Sequence, residues 1–283
     1  MEWIKALNNS IDFMENHLLE DITIDDIARE VNMSPFYYQK AFKILTGYAV
    51  GEYLRNRRLS LAGAELTRGN AKIIDVAYTY GYETPESFSK AFRRFHGVSP
   101  QLAKQKEYQL HDFQRLIIKV IIQGGSKMDC RIEKKEAFKI VGRGREFSYD
   151  NSYQMIPKFW DEFCKKYCKV ENPSSKGIFG ICLDIKKEGG TFQYLIADPY
   201  EKGPVPEGFK IMEIPSFTWA IFTCKGPLPE ALQSVNTRIF SEWLPTNGEY
   251  EIATGISIEM YTMGDTTSKD YISEIWIPVK PKK

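Results

Sequence analysis

The sequence predicts two domains. The first is all-α, with two helix-turn-helix units joined by a long helix. The second is α+β, built of two β-α-β-β repeats with pseudo-twofold symmetry. Three observations carry this. The chain has 283 residues, about twice a usual domain length. The hydrophobic pattern is helical before Gly124-Gly125 and turns to β-branched and aromatic alternation after it. Each half also repeats itself. The expected boundaries are residues 1–110, a linker over 111–128, and residues 129–283, since paired glycines continue a packed element only at an entropic cost.

The chain opens into an amphipathic helix with no basic region followed by an apolar stretch, so a secretory signal is not expected. No run approaches the roughly 18 apolar residues of a membrane span; the richest, Leu116-Ile117-Ile118-Lys119-Val120-Ile121-Ile122, is broken by a lysine. Thr23 then caps a short helix with Asp26 at its third position, and Ile24, Ile27, Ala28 and Val31 form its apolar stripe. Asn32-Met33 is the turn. Ser34 caps the next helix and Pro35 sits at its first position, where a missing N–H costs nothing. Tyr38, Ala41, Phe42 and Leu45 are its core stripe; Phe36, Gln39, Lys40 and Lys43 are expected to face outward. Residues 50–66 read as one long helix. At an offset of 50 the pattern returns: Ser34-Pro35 aligns with Thr84-Pro85, and Lys40-Ala41-Phe42-Lys43 with Lys90-Ala91-Phe92-Arg93. In this second unit Phe88, Ala91, Phe92 and Phe95 go inward, while Glu86, Ser89, Lys90 and Arg93 go outward.

Net charge is only +1, so any nucleic-acid footprint is local. Residues 34–58 hold five bases and one acid, residues 87–106 five bases and no acid. A charge run is usually a solvated face, but two of them on duplicated second helices suit a major groove. Lys or Arg reaches guanine, Gln pairs with adenine, and apolar groups meet the thymine methyl. The helix N-termini at Ser34 and Thr84 are placed to receive backbone phosphates.

The second half reads as strand 137–145, helix 152–168, strand 178–185, a turn at Lys187-Glu188-Gly189-Gly190 and strand 191–197, then strand 217–224, helix 228–243, strand 252–261 and strand 271–279. A cleft between the repeats is the expected ligand position. On the last strand, alternation puts Glu274 between Ile272 and Trp276, where an unpaired carboxylate is costly and a desolvated aromatic cation would be selected. Glu259 and Tyr261 offer a second acid–aromatic pair. From the first helix of this half, Tyr153, Ile156, Phe159, Trp160 and Phe163 make an apolar face, with Trp160 the candidate to line the cleft.

Residues 1–110 resemble the DNA-binding domain of the AraC/XylS family, most tellingly in Asp75-Val76-Ala77, Gly81-Tyr82 and Ser87 through Pro100. The resemblance implies base-reading positions at Phe36, Gln39 and Lys40, then Glu86, Ser87 and Lys90. Glu86 departs from the neutral polar residue usual there; an acid either accepts from cytosine N4 or avoids the base and weakens binding. Two such helices on one monomer would span successive major-groove segments about 34 Å apart, with dimers left open. The second half is similar to GyrI-like effector-binding domains through Met212-Glu213-Ile214-Pro215, Phe240 through Pro245 and Ser273 through Val279. Together these imply a cytoplasmic bacterial transcription regulator of the Rob type. Its partners would be double-stranded DNA, RNA polymerase and a small lipophilic or cationic aromatic effector, and not a membrane.

Other chemistry is weaker. Cys164 and Cys168 stand one helical turn apart with no third ligand nearby, so no metal is expected, and no cofactor. All three histidines lie at or before residue 111, which leaves the second half without a Ser-His-Asp arrangement. The rival readings are a protein-binding module, or a hydrolase with Glu274 or Glu259 as general base and Tyr261 assisting. An enzyme is not expected.

Overall fold

In the helical half, the apolar spacing and the caps produce the elements they predict. The computed structural model describes residues 2–69, 71–105, 107–119, 128–149, 151–167, 177–184 and 191–282. Helix α1 (Glu2–Asn16) buries Leu7, Ile11 and Met14, spaced i, i+4, i+7. Helix α2 (Ile24–Glu30) begins with the expected capping box: the Thr23 backbone N–H donates to Asp26 at 3.0 Å and the Asp26 N–H to the Thr23 hydroxyl at 3.2 Å. Asn32 makes the turn at φ 54°, a left-handed conformation that asparagine tolerates. Helix α3 (Pro35–Thr46) follows, and α4 (Val50–Thr67) is the long helix. The duplicate gives α5 (Ile73–Thr79) and α6 (Pro85–His96), closed by α7 (Pro100–Ala103).

The chain divides into two units. One holds Met1–Trp3, Ser34–Ala41 and Val120–Lys283; the other holds Ile4–Met33 and Phe42–Lys119. Within the second, Leu59, Ala62, Leu66, Val76, Ala77, Phe88 and Phe92 form the core that seats α5 and α6 on α4. Gly63 permits the close approach, since a Cβ there would lie 2.8 Å from the His96 ring. Arg57 grips Glu15 with two hydrogen bonds of 2.8 Å, and the Arg58 guanidinium donates to the Leu18 and Glu20 carbonyls. Part of the first basic stretch is therefore structural.

In the other unit β1 (Cys130–Lys135), β2 (Phe138–Ser148), α8 (Ser152–Tyr167), β3 (Ile178–Leu183) and β4 (Thr191–Pro199) precede β5 (Lys210–Ile214), β6 (Phe217–Lys225) and α9 (Glu230–Arg238). A π-helical turn (Ile239–Trp243), α10 (Leu244–Thr246), β7 (Tyr250–Ile252), β8 (Ile256–Tyr261) and β9 (Ile272–Pro281) complete it. The sheet order β1-β6-β9-β8-β3-β4-β2-β5 is symmetric about the β8–β3 pair, as the two repeats require. The edge strands are exchanged: β1 precedes the first repeat but pairs with β6 of the second, and β5 precedes the second but pairs with β2 of the first.

Three details differ from expectation. Strands β1 and β5 were hidden, the first by its charge (Arg131, Glu133, Lys134, Lys135) and the second by its five-residue length. The strand expected over 252–261 breaks at Gly255, where a Cβ would lie 2.9 Å from the Asp184 carbonyl oxygen. The helix expected over 228–243 starts two residues later and passes into the π-helical turn. The Gly124-Gly125 linker, the turn at Lys187 to Gly190 and Cys168 lie outside the described residues, as does the Tyr153 side chain. No helix among the described residues is long and apolar enough to cross a membrane.

One face of the sheet carries an apolar cluster that includes Phe179, Ile181, Leu183, Trp219, Ile221, Ile258 and Trp276. Burying each of the large side chains contributes roughly 1.5–3 kcal/mol. The opposite face carries α8 and α9: the Trp160 indole N–H donates to the Tyr194 hydroxyl at 2.8 Å, and Phe222 meets Trp243 at 5.0 Å.

Candidate DNA-reading helices and ligand site

Helix α6 is built to present a surface. The Thr84 hydroxyl accepts the Ser87 N–H at 3.1 Å, Pro85 takes the first position, and Gly97 ends the helix at φ 79°. Phe88 and Phe92 are fully buried, and their rings meet at 5.4 Å, tilted by 55°. His96 anchors the last turn by a 2.9 Å hydrogen bond to the Leu59 carbonyl, and burial holds its pKa below the ordinary value. The opposite stripe, Glu86, Ser87, Lys90, Arg93 and Arg94, is exposed along with Thr84. Of the residues expected outward, Glu86, Lys90 and Arg93 are exposed and Ser89 is half-buried, and the arginines reinforce the C-terminal end of the helix dipole.

Helix α3 has the same cap chemistry, the Ser34 hydroxyl accepting the Tyr37 N–H at 3.3 Å, but a different environment. Phe36 is 5% exposed and Gln39 9%, so the expectation that both face outward does not hold. The reason is a set of partners remote in sequence. The Phe36 ring packs on Phe192 at 5.6 Å, its N–H donates to the Asp184 carboxylate at 2.9 Å, and the Tyr37 hydroxyl donates to the Ile256 carbonyl at 2.6 Å. Lys40 and Lys43 are half-buried; the Lys40 ammonium lies 5.6 Å from the Phe36 ring centre, and Lys43 donates to the Gly47 carbonyl at 2.6 Å.

The five expected ligand residues fall on opposite faces of the sheet. Glu274 and Trp276 lie on the face of the apolar cluster. Glu274 is 8% exposed and both its oxygens are engaged, one by Arg131 at 2.8 Å and the other by the Trp276 indole at 2.7 Å. Lys135 covers the Trp276 ring at 4.8 Å. This is the pairing a buried carboxylate requires.

Glu259, Tyr261 and Trp160 come together on the helix-covered face. Half-buried Glu259 accepts the Tyr261 hydroxyl at 2.8 Å, Tyr261 meets Trp160 edge-on at 5.1 Å, and Trp160 holds Tyr194. Among the described residues Glu259 has no cationic side chain within ion-pair distance. Burial, with the Glu259 charge adding to it, drives the Tyr261 and Tyr194 hydroxyls well above their ordinary pKa, so they stay protonated donors. Gly180 faces Glu259 across the β3–β8 pair, and a Cβ there would overlap the Tyr194 hydroxyl. Beside it the Cys182 thiol is pushed up to about 12, first by burial. The sequence reading missed Gly180 and Tyr194, although a glycine within the strand Ile178-Phe179-Gly180-Ile181-Cys182-Leu183 is a recognised sign of close approach. Among the described residues no three His, Cys, Asp or Glu side chains are grouped to hold a metal, and Cys164 is exposed.

The chain matches two family models: a helix-turn-helix domain over residues 27–106 and the integron-associated effector binding protein over residues 131–279. It is 32% identical over 108 residues to the HTH-type transcriptional activator AarP of Providencia stuartii, a match covering 38% of this chain and 80% of AarP. It is 37% identical over 90 residues to the regulatory protein SoxS of Salmonella typhimurium, covering 32% and 84%. A solved structure of a protein bound to tetraphenylphosphonium is similar over 54% of this chain and 94% of its own, at 23% identity and a TM-score of 0.48.

Proposed function

Since the chain belongs both to the AraC-type helix-turn-helix transcription regulators and to the integron-associated effector-binding proteins, we propose that it regulates transcription in response to a lipophilic aromatic cation held at Glu259. The DNA-reading half needs no further chemistry than α6 supplies: exposed Lys90 and Arg93 for base edges and phosphates, and the Thr84 cap for a phosphate. RNA polymerase is the partner on which such a regulator would act.

A single observation carries the ligand reading. Glu259 is a half-buried carboxylate walled by Tyr261, Tyr194 and Trp160, and no cation is paired with it among the described residues. Tyr261 satisfies one lone pair of the carboxylate and leaves the rest open to a ligand. An aromatic cation would gain charge pairing and ring contacts together, each strengthened by exclusion of water. Glu274, already neutralised by Arg131, offers no comparable unmet charge.

The test is calorimetric titration of the full chain with tetraphenylphosphonium and with a neutral tetraphenyl analogue. The expected result is binding of the cation alone, reduced at least tenfold in Glu259→Gln and unchanged in Glu274→Gln. Loss in Glu274→Gln with retention in Glu259→Gln would move the site to the other face of the sheet. Equal binding of the neutral analogue would remove the role of charge.

A further inference from the structure

The first half of α3 is bound to the sheet, whereas Glu86 and Ser87 in the corresponding half of α6 are exposed. The contact begins at the helix N-terminus, where the Phe36 N–H donates to Asp184 at 2.9 Å. Unsatisfied N–H groups and the positive end of the helix dipole make that terminus a seat for one anionic oxygen. In a helix-turn-helix unit docked on DNA the anion is a backbone phosphate. Here it is a carboxylate placed just beyond β3, and the Asp184 N–H donates to the Gly255 carbonyl at 3.0 Å, which ties that carboxylate to the strand pair β3–β8.

The same turn of helix is fixed by further contacts, among them the Tyr37 ring on Phe240 at 6.4 Å. Phe36, a residue expected to meet bases, packs on Phe192, and Tyr37 is wholly buried with its hydroxyl on the Ile256 carbonyl. Gln39, the other expected base reader, is more than nine-tenths buried, and its amide nitrogen has no hydrogen-bond partner among the described residues. A side-chain amide withdrawn from water with its donors unmet disfavours the state that buries it. The residue therefore gains nothing from docking, whereas in a major groove the same amide would pair with adenine.

We propose that the sheet holds α3 in an autoinhibited state, with Asp184 occupying the place of a DNA phosphate and Phe36 and Gln39 withdrawn from the bases. Helix α3 cannot enter a major groove while these contacts stand, because the sheet covers the face that would read it. The state is reversible by design of its parts. Among the described residues, one charge-assisted hydrogen bond, one buried hydroxyl and the ring contacts of Phe36 with Phe192 and of Tyr37 with Phe240 hold it, and an unmet buried amide opposes it. Release exposes a complete reading face without unfolding any element.

The experiment measures the affinity of the full chain for a mixed-sequence duplex of about three helical turns at one fixed ionic strength. Four proteins are compared: wild type, Asp184→Ala, Tyr37→Phe and Glu213→Ala. Glu213 is an exposed carboxylate on β5 and reports the gain that follows from removing any negative charge. The expected result is that Asp184→Ala binds about fivefold tighter than wild type, beyond any gain of Glu213→Ala, and that Tyr37→Phe, which changes no charge, also binds tighter. If Asp184→Ala does no better than Glu213→Ala, the proposal is wrong. Should Asp184→Ala fail to fold, Tyr37→Phe decides alone: affinity equal to or below wild type overturns the proposal.

Discussion

Helices α3 and α6 descend from one repeated pattern, Ser/Thr-Pro at the start and Lys-Ala-Phe at the centre, yet present opposite surfaces. In α6 the polar stripe of Glu86, Ser87, Lys90 and Arg93 is exposed, and two buried phenylalanines hold the helix from behind. In α3 the equivalent stripe begins with Phe36 and Gln39, both buried, and the Phe36 N–H meets a carboxylate. Cap and periodicity decide that a helix forms and which residues share a stripe. Whether the polar stripe meets solvent is decided by groups far away in sequence. A duplicated motif therefore need not give two equivalent surfaces: in this chain the second stripe is exposed while the first packs on the sheet.

The comparison can be strained from several directions. Phe92→Ala should have the largest effect, a loss of about 3–5 kcal/mol in chemical denaturation, because it empties the site on which the α6 surface rests. A loss below 1 kcal/mol would mean that α6 is not seated by this core. Next come the paired lysines. Lys90→Ala should weaken binding of the full chain to a selected duplex by about 1–3 kcal/mol. Lys40→Ala, on the engaged helix, should cost less than half as much; equal losses would show that both helices read DNA in the ligand-free chain.

Most of this architecture was legible in the sequence, and the reasons are local. Helices α2 to α6 follow from caps, turn residues and i, i+4 spacing; the two repeats of the second half follow from alternation and hairpin signals. What escaped depends on pairing at a distance. Strand β1, written Cys130-Arg131-Ile132-Glu133-Lys134-Lys135, carries charges that satisfy one another and Glu274, so it hid as a polar connection. The alternation on β9 correctly placed Glu274 beside Trp276, but not the arginine that neutralises it, because Arg131 lies 143 residues away. Glu259 and Tyr261 were recognised as a pair from their spacing. Tyr194 and Gly180, which complete that wall, join it only through the β3–β4 and β3–β8 registers. The burial of Phe36 has the same origin: nothing near residue 36 announces Asp184 or Phe192.

The most direct measurement is residue-resolved amide hydrogen exchange in the free full-length protein, comparing Phe36 with Glu86. Both amides occupy the second position of their helices, where no intrahelical partner exists. The Phe36 N–H is bound to Asp184, whereas the Glu86 N–H has no partner among the described residues. The account predicts strong protection at Phe36 and near-free exchange at Glu86. Equal and rapid exchange at both would contradict it, placing α3 in solvent beside its duplicate.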